Sequence, residues 1–270
     1  MEQNCQNCST LILNNFCDNC GQKRFKKIDR KYILDELQYV FIHTNKGFLY
    51  SIKKIIKSPG KTGRDFIDGN RVNHYKPILL LFLLSTVSAF ISFKVIGMQE
   101  IMDAMTATNK VMNTEFMKDY MNFTKSYSAL IMLLMVPVFA ITTKLAFGKW
   151  GHNYYEHVII NAYVVCAYTL FTILIISPIL YFFRDNYEYV VTISGFSFIA
   201  VPIILGWFFK DFYSEKPFKS IMGRVFLTFA YFLGLYVVVI ILVVIGGIIA
   251  AIIYGPEAMH YFMPKQIPVK

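Results

Sequence analysis

A chain of 270 residues that is 56% hydrophobic and only 16% charged carries too little polar surface for one soluble domain, where about 25% charged residues is usual. That composition excludes a disordered protein, a collagen-like chain and a disulfide-dense miniprotein, and it points to an integral membrane protein. The net charge of +10 would raise nucleic acid as a partner of a soluble domain, but Lys outnumbers Arg 21 to 6, which argues against bidentate base or phosphate reading; no nucleic acid is expected.

The chain opens on two CxxC pairs, Cys5/Cys8 and Cys17/Cys20, eight residues apart. Each such turn presents two thiolates to one ion, and four make a closed tetrahedral zinc site. Residues 1–24 are therefore predicted to form a small zinc ribbon, with structural zinc supplying most of its folding free energy. Gly21 follows the second pair, where the knuckle favours positive φ; Ser9 stands in the matching place after the first. Two disulfides or a redox pair are the other reading of these cysteines, of which the disulfides conflict with a cytoplasmic head, and iron–sulfur is a further alternative. A closed four-thiolate site keeps no open coordination position, so no catalytic residue is assigned to it. No apolar signal-peptide core interrupts the first 32 residues, so the N-terminus is expected in the cytoplasm.

Residues 25–76 read as a cytoplasmic segment of short amphipathic helices. Ile33, Leu34, Leu37, Val40 and Phe41 recur at helical spacing, as do Phe48, Leu49, Ile52, Ile55 and Ile56 beside Lys53, Lys54 and Lys57. They suit either anionic lipid headgroups or the protein's own cytoplasmic surface. Ser58-Pro59-Gly60 breaks the pattern. Gly60-Lys61-Thr62 mimics the end of a phosphate loop, but Ile55 stands where its first glycine is required. Gly69, Arg71, Tyr75 and Pro77 form a junction: a helix stop, a cation near the bilayer, an interfacial aromatic and a first-turn proline.

Five uncharged or nearly uncharged stretches follow, at 77–97, 126–143, 158–183, 189–209 and 225–256. A spanning helix needs about 20 such residues, which predicts a five-helix transmembrane bundle over 77–256 and a tail at 257–270. The last stretch must tilt, protrude or kink near Gly246-Gly247. Pro137, Pro178 and Pro202 are expected to kink their helices. Ser85, Thr86, Ser88 and Ser92, with Thr169, Thr172 and Ser177, read as interhelical hydrogen-bond partners, Cys166 as a small packing residue, and Gly246/Ala250 and Gly247/Ala251 as close-packing pairs within or between chains. Lys94 and Lys144 lie near span ends and can snorkel. With the N-terminus inside, 20 Lys/Arg lie on the inner side and 7 on the outer, which places the C-terminus outside. Between the first two spans, Met98, Met102, Met105, Met112, Phe116 and Tyr120 fall on one helical stripe, an apolar face rather than a copper site.

One polar cluster stands out. His152, Glu156 and His157 open the third span, with Asn161 one turn further. On a helix His152 and Glu156 share a face, and Arg71 or His74 from the head would complete an interfacial polar site for a metal, a headgroup or a proton. Helix capping and interfacial anchoring are the plainer reading of the same residues.

Taken in order, Cys5/Cys8, Cys17-Asp18-Asn19-Cys20-Gly21-Gln22, Ser58-Pro59-Gly60, Gly69-Asn70-Arg71 with Tyr75 and Pro77, and Tyr155-Glu156-His157 resemble a bacterial membrane family with an N-terminal zinc ribbon, domain-of-unknown-function family 3667. The resemblance implies a zinc-headed multi-pass protein and carries no activity with it. The fold class is therefore all-α, five membrane helices with a small zinc ribbon, in a bacterial inner membrane. The leading functional expectation is a non-enzymatic protein whose ribbon recruits or senses a cytoplasmic partner while the bundle anchors or regulates, with a homo-oligomer open to it. Buried charge is nearly absent from the spans, which weighs against ion-coupled transport. A transporter or channel for a lipidic or small neutral solute is the alternative, and a lipid-modifying enzyme using Glu156 and His157 the third.

Overall fold

The computed structural model describes residues 3–5, 7–21, 47–71, 74–108 and 113–255. The expected amphipathic repeat from Ile33 to Phe41, Gln22, Met112 and the tail at 257–270 lie outside the described residues.

Two short antiparallel strands, β1 (Gln3–Asn4) and β2 (Leu11–Ile12), pair Gln3 with Ile12 and Asn4 with Leu11. The turn between them and a second turn after β2 hold the four cysteines; Cys5, Cys17 and Ile12 are buried with Cys8 packed against them, and Cys20 is exposed.

Helix α1 (Gly47–Lys57) and helix α2 (Pro59–Ile67) meet at Ser58. The apolar residues of α1 divide: Phe48, Ile52 and Ile55 lie against the protein itself, whereas Leu49 and Ile56 are exposed. Ser51 and Ile55 are buried, Phe48 sets its ring edge-on to Tyr75, and the Ser51 hydroxyl accepts from the Tyr75 backbone N–H at 2.8 Å. Lys53, Lys54 and Lys57 point outward.

Among the described residues five helical segments are long and apolar enough to cross a membrane: Pro77–Ile96, Glu115–Trp150, Tyr154–Phe183, Tyr187–Phe212 and Phe218–Ile249. The first is α3 (Pro77–Phe90), closed by a π turn over Ile91–Ile96. Helix α4 (Met98–Thr108) follows, then α5 (Glu115–Phe147), capped at Thr114. The second span is thus much longer than the uncharged stretch 126–143. Its 33 residues rise about 50 Å at 1.5 Å each, beyond a hydrocarbon core of about 30 Å. Glu115, Lys118, Asp119 and Lys125 ride on the excess turns. The methionine stripe is not one face either: Met98, Met102 and Met105 belong to α4, whereas Phe116 and Tyr120 belong to α5 and are exposed.

The third span is α6 (Tyr154–Phe171), a π turn at Thr172–Ile176, and α7 (Ser177–Phe183). Pro178 has no N–H to give and would clash with the carbonyl four residues back. The wider π turn just before it absorbs that conflict, so the expected kink takes this form. The Thr172 hydroxyl donates to the Tyr168 carbonyl at 3.0 Å inside the same span. The fourth span breaks at Phe198-Ile199 into α8 (Tyr187–Ser197) and α9 (Ala200–Phe212), with Pro202 in the first turn of α9. The last, α10 (Phe218–Tyr254), runs without interruption through Gly246-Gly247; at 37 residues it tilts or protrudes rather than kinks.

Helix α6 is the hub. It packs against α1, α2, α3, α5 and α9, and every residue from Ile160 to Ala167 is buried, as expected of a helix enclosed on all sides. Small Ala162, Cys166 and Ala167 let neighbours close in. Helix α10 is the opposite case. Ile221, Val225 and Thr228 turn one stripe inward; beyond them none of its described side chains is buried. The span hydroxyls bond mostly to their own helices, as Thr86 does to Phe82 O at 2.8 Å. Ser85 Oγ and Thr169 Oγ1 are buried without a partner among the described residues. They therefore do not form the expected interhelical bonds.

Candidate metal centre and polar mouth

In the ribbon the sulfur atoms of Cys5, Cys8, Cys17 and Cys20 all lie within 4.8 Å of one another. Neighbouring pairs stand at 3.4 to 3.5 Å, and all four are free thiols. Tetrahedral Zn–S bonds of about 2.3 Å put sulfurs roughly 3.8 Å apart, so the spacing fits one four-thiolate ion. Two matching turns build it. Ser9 N–H donates to Cys5 O at 2.9 Å and Gly21 N–H to Cys17 O at 2.8 Å. Gly21 adopts φ +71°, and Ser9 takes the same left-handed conformation at φ +61°. Hydrogen bonds with the Thr10 side chain and backbone hold the Cys8 thiol down at about 6, whereas, against hydrogen bonds from the Cys20 and Asn19 backbone, burial and the Cys8 and Cys20 side chains push the Cys17 thiol up to about 11. Leu11, Leu13 and Phe16 project outward and are exposed.

The second site lies where α5, α6 and α9 end on the side of α1 and α2. Asn153 caps α6, and Glu156 completes a capping box: its carboxylate accepts from Asn153 N–H at 2.7 Å, while Asn153 Oδ1 accepts from Glu156 N–H at 3.0 Å. His152 precedes the helix, so it does not share a helical face with Glu156; the i,i+4 expectation assumed helix where the chain is still turning. Tyr213 lies 3.0 Å from His152 Nδ1. Burial raises the Tyr213 phenol and lowers the His152 imidazole, with Glu156, Asp68 and Glu215 opposing the latter shift and Arg64 adding to it. Both groups are therefore held neutral, and the hydrogen bond between them runs in the direction that the His152 tautomer sets.

Deeper in, His157 and Asn161 share Thr143. Asn161 Nδ2 donates to Thr143 Oγ1 and to His157 O, both at 2.7 Å, and His157 Nδ1 lies 3.1 Å from Thr143 Oγ1. Beside this network an apolar cavity of about 400 Å³ opens between α5, α6, α9 and α10.

Arg71 and His74 are not part of this cluster. Arg71 Nε donates to Phe66 O at 3.3 Å with its guanidinium over the Phe66 ring. It does not pair with Glu156. His74 is buried against Tyr50, its pKa lowered by that burial. The head reaches the mouth through Arg64 instead. Arg64 pairs with Asp68 at 3.0 Å, lies over Phe212 and donates to Phe212 O; the Phe212 ring stands 5.2 Å from His152. Lys144 donates to His152 O, and Arg224 to Ala146 O while lying over Trp150. Thr143, Tyr213, Arg64 and Arg224 read in the sequence as ordinary span ends and basic loops. The one signal for Arg64 was its place a turn after Gly60.

Residues 45–89 match the family model described as a protein of unknown function (DUF3667). This is the family the motif order resembles, and the match takes in Ser58-Pro59-Gly60 and the Gly69–Pro77 junction. No curated protein and no solved structure matches the chain.

Proposed function

We propose that this chain is a non-enzymatic protein of the bacterial inner membrane. Its ribbon, loaded with structural zinc on the cytoplasmic side, docks a protein partner, and the bundle anchors and regulates that contact. The observation that carries this reading is the ribbon itself: four thiolates closed on one point, with Leu11, Leu13 and Phe16 turned outward on a unit of some twenty residues. Zinc, when bound, cross-links the two turns and supplies the rigidity that such a unit cannot draw from a core. Exposed apolar side chains on that frame are what a docking face needs. The excess of lysine and arginine on the ribbon's side of the spans supports the inner orientation, and Lys53, Lys54 and Lys57 on α1 suit anionic headgroups.

A pull-down from native membranes tests it, comparing the wild type with Cys17→Ser/Cys20→Ser and with Leu13→Asp/Phe16→Asp. The second pair leaves the thiolates in place. A partner enriched by the wild type and lost from both variants supports docking; equal recovery from all three overturns it.

The cavity favours a second reading, passage of a lipidic or small neutral solute, which flux in reconstituted liposomes would test. A lipid-modifying enzyme has less support, since the Glu156 carboxylate already caps its own helix.

A further inference from the structure

We propose that the cavity between α5, α6, α9 and α10 binds a neutral lipid alcohol, an apolar body carrying a hydroxyl group and no charge. The site rests on the cavity that favours the second reading above and asks only for binding, not for passage.

Its volume of about 400 Å³ lies in the range of small-molecule sites. Most of the wall is apolar, with Met132, Phe139, Val164 and Leu205 among the lining side chains. Phe198 and Phe232, also in the wall, are exposed on the outside of the bundle, so entry is sideways from the bilayer. One end is polar, formed by Thr142, Thr143 and Asn161. Asn161 is the eighth residue of α6, about 10 Å along the helix from its start.

The protons at that end are all spent. A threonine hydroxyl has one proton to give. Thr142 gives its proton to Phe139 O at 2.9 Å, Thr143 to Phe139 O at 3.0 Å, and Thr228, on the facing wall, to Arg224 O at 2.9 Å. Thr143 Oγ1 accepts from Asn161 Nδ2 at 2.7 Å and lies 3.1 Å from His157 Nδ1, so that hydroxyl is fully engaged. His157 does not line the cavity; its Nε2 is buried behind this network without a partner among the described residues. The Asn161 amide has both its bonds on the Nδ2 side. Its Oδ1, on a residue only 2% exposed, has no donor among the described residues.

This end therefore offers one unmatched acceptor, Asn161 Oδ1, and no lining threonine hydroxyl with a proton to spare, in surroundings where an unmatched acceptor is costly. A ligand hydroxyl supplies the missing proton. A carboxylate or phosphate head brings more acceptors and a negative charge, and no lysine or arginine lines the cavity to meet it. An ammonium head would donate, but no acidic side chain lines the wall to balance its charge. Tyr168, two turns further along α6, also lines the cavity.

The test uses the full chain in phosphatidylcholine nanodiscs with a photoreactive diazirine analogue of hexadecanol, mapping the labelled peptides by mass spectrometry. Unlabelled hexadecanol and hexadecanoic acid compete in parallel. The expected result is labelling on α6 and α9, with the alcohol competing at least tenfold better than the acid. Asn161→Leu should abolish that preference, and Val201→Trp, which fills the cavity from α9 and leaves the Thr143 network intact, should abolish labelling. Equal competition by the acid in the wild type, or label confined to the exposed face of α10, overturns the proposal. Should Asn161→Leu fail to fold, the wild-type competition ratio and Val201→Trp still decide. Liposome flux is read separately: its absence with specific labelling intact removes the passage reading and keeps the site.

Discussion

Ser9 and Gly21 occupy the same position in two matching turns, yet only one of them is glycine. A left-handed conformation strains a residue with a Cβ by about 1–2 kcal/mol, and nothing lies within 4 Å of where a Cβ on Gly21 would stand. Gly21→Ala should therefore act through backbone strain alone, weakening metal retention about tenfold in a chelator competition with the zinc-loaded chain. Ser9→Gly should act the other way and slow metal release by a few fold, partly offset by the entropy glycine loses on folding. Equal release from wild type and both variants would show that the turns bear no strain. The cluster of four cysteines was legible in the sequence, because CxxC spacing encodes its own geometry. The strain at Ser9 was not, because a serine after a knuckle announces no φ. Nor was the role of Glu156 separable from that of His157: the two are adjacent, and only the turn at Gly151, which ends in the Asn153 cap, assigns one to the backbone and the other to the interior.

Between elements, α2 and α9 cap each other. The Asp211 carboxylate accepts from Lys61 N–H at 2.8 Å in the first turn of α2, where the Ser58 side chain makes no cap. In return Arg64 donates to Phe212 O at the end of α9. Both contacts place charge against the helix end of opposite sign. They require the two backbones to touch, and Gly60 allows it: a Cβ there would stand 2.1 Å from Phe208 O and 2.4 Å from Phe212 N. Gly60→Ala should therefore be at or beyond the upper end of the usual overpacking cost of about 1–3 kcal/mol, read as a loss of folded, monodisperse protein in detergent. Gly63→Ala should be milder, since its closest neighbour is the Phe208 ring at 3.2 Å, a side chain that can yield. Asp211→Ala should cost about 0.5–2 kcal/mol, the range of a lost N-cap, and Asp211→Asn less, because an amide oxygen still accepts. Thermal unfolding that ranks Asn with Ala would remove the cap from the account. The Ser58-Pro59-Gly60-Lys61-Thr62 run was visible in the sequence as a helix break and as a poor phosphate loop. Its use as a docking edge was not, because the partner lies some 150 residues away in the chain.

Across the whole molecule, the five spans were legible because a bilayer demands about twenty apolar residues in a row. Which span sits at the centre was not, since the central and the outermost helix both read as uninterrupted apolar sequence. The difference is one of side-chain size and polarity. Helix α6 carries Asn161, Ala162, Cys166 and Ala167 and is enclosed; α10 is dense in valine and isoleucine, and past Thr228 it meets no other helix closely enough to be buried. The fold of the single chain therefore owes little to the distal half of α10, and Gly234, Gly246 and Gly247 have no neighbour within 4 Å of a Cβ position. Replacing Gly246 and Gly247 together by leucine should leave the unfolding midpoint of the monomer unchanged or slightly raised, since leucine favours helix over glycine by up to about 1 kcal/mol per site. The same variant in the membrane reads the contact between copies: if small residues on α10 let two chains approach closely, native mass measurements from lipid discs should shift from dimer to monomer. A midpoint that falls in dilute detergent, where only monomers are present, would mean that α10 folds back on its own bundle and that the exposed face described above is covered.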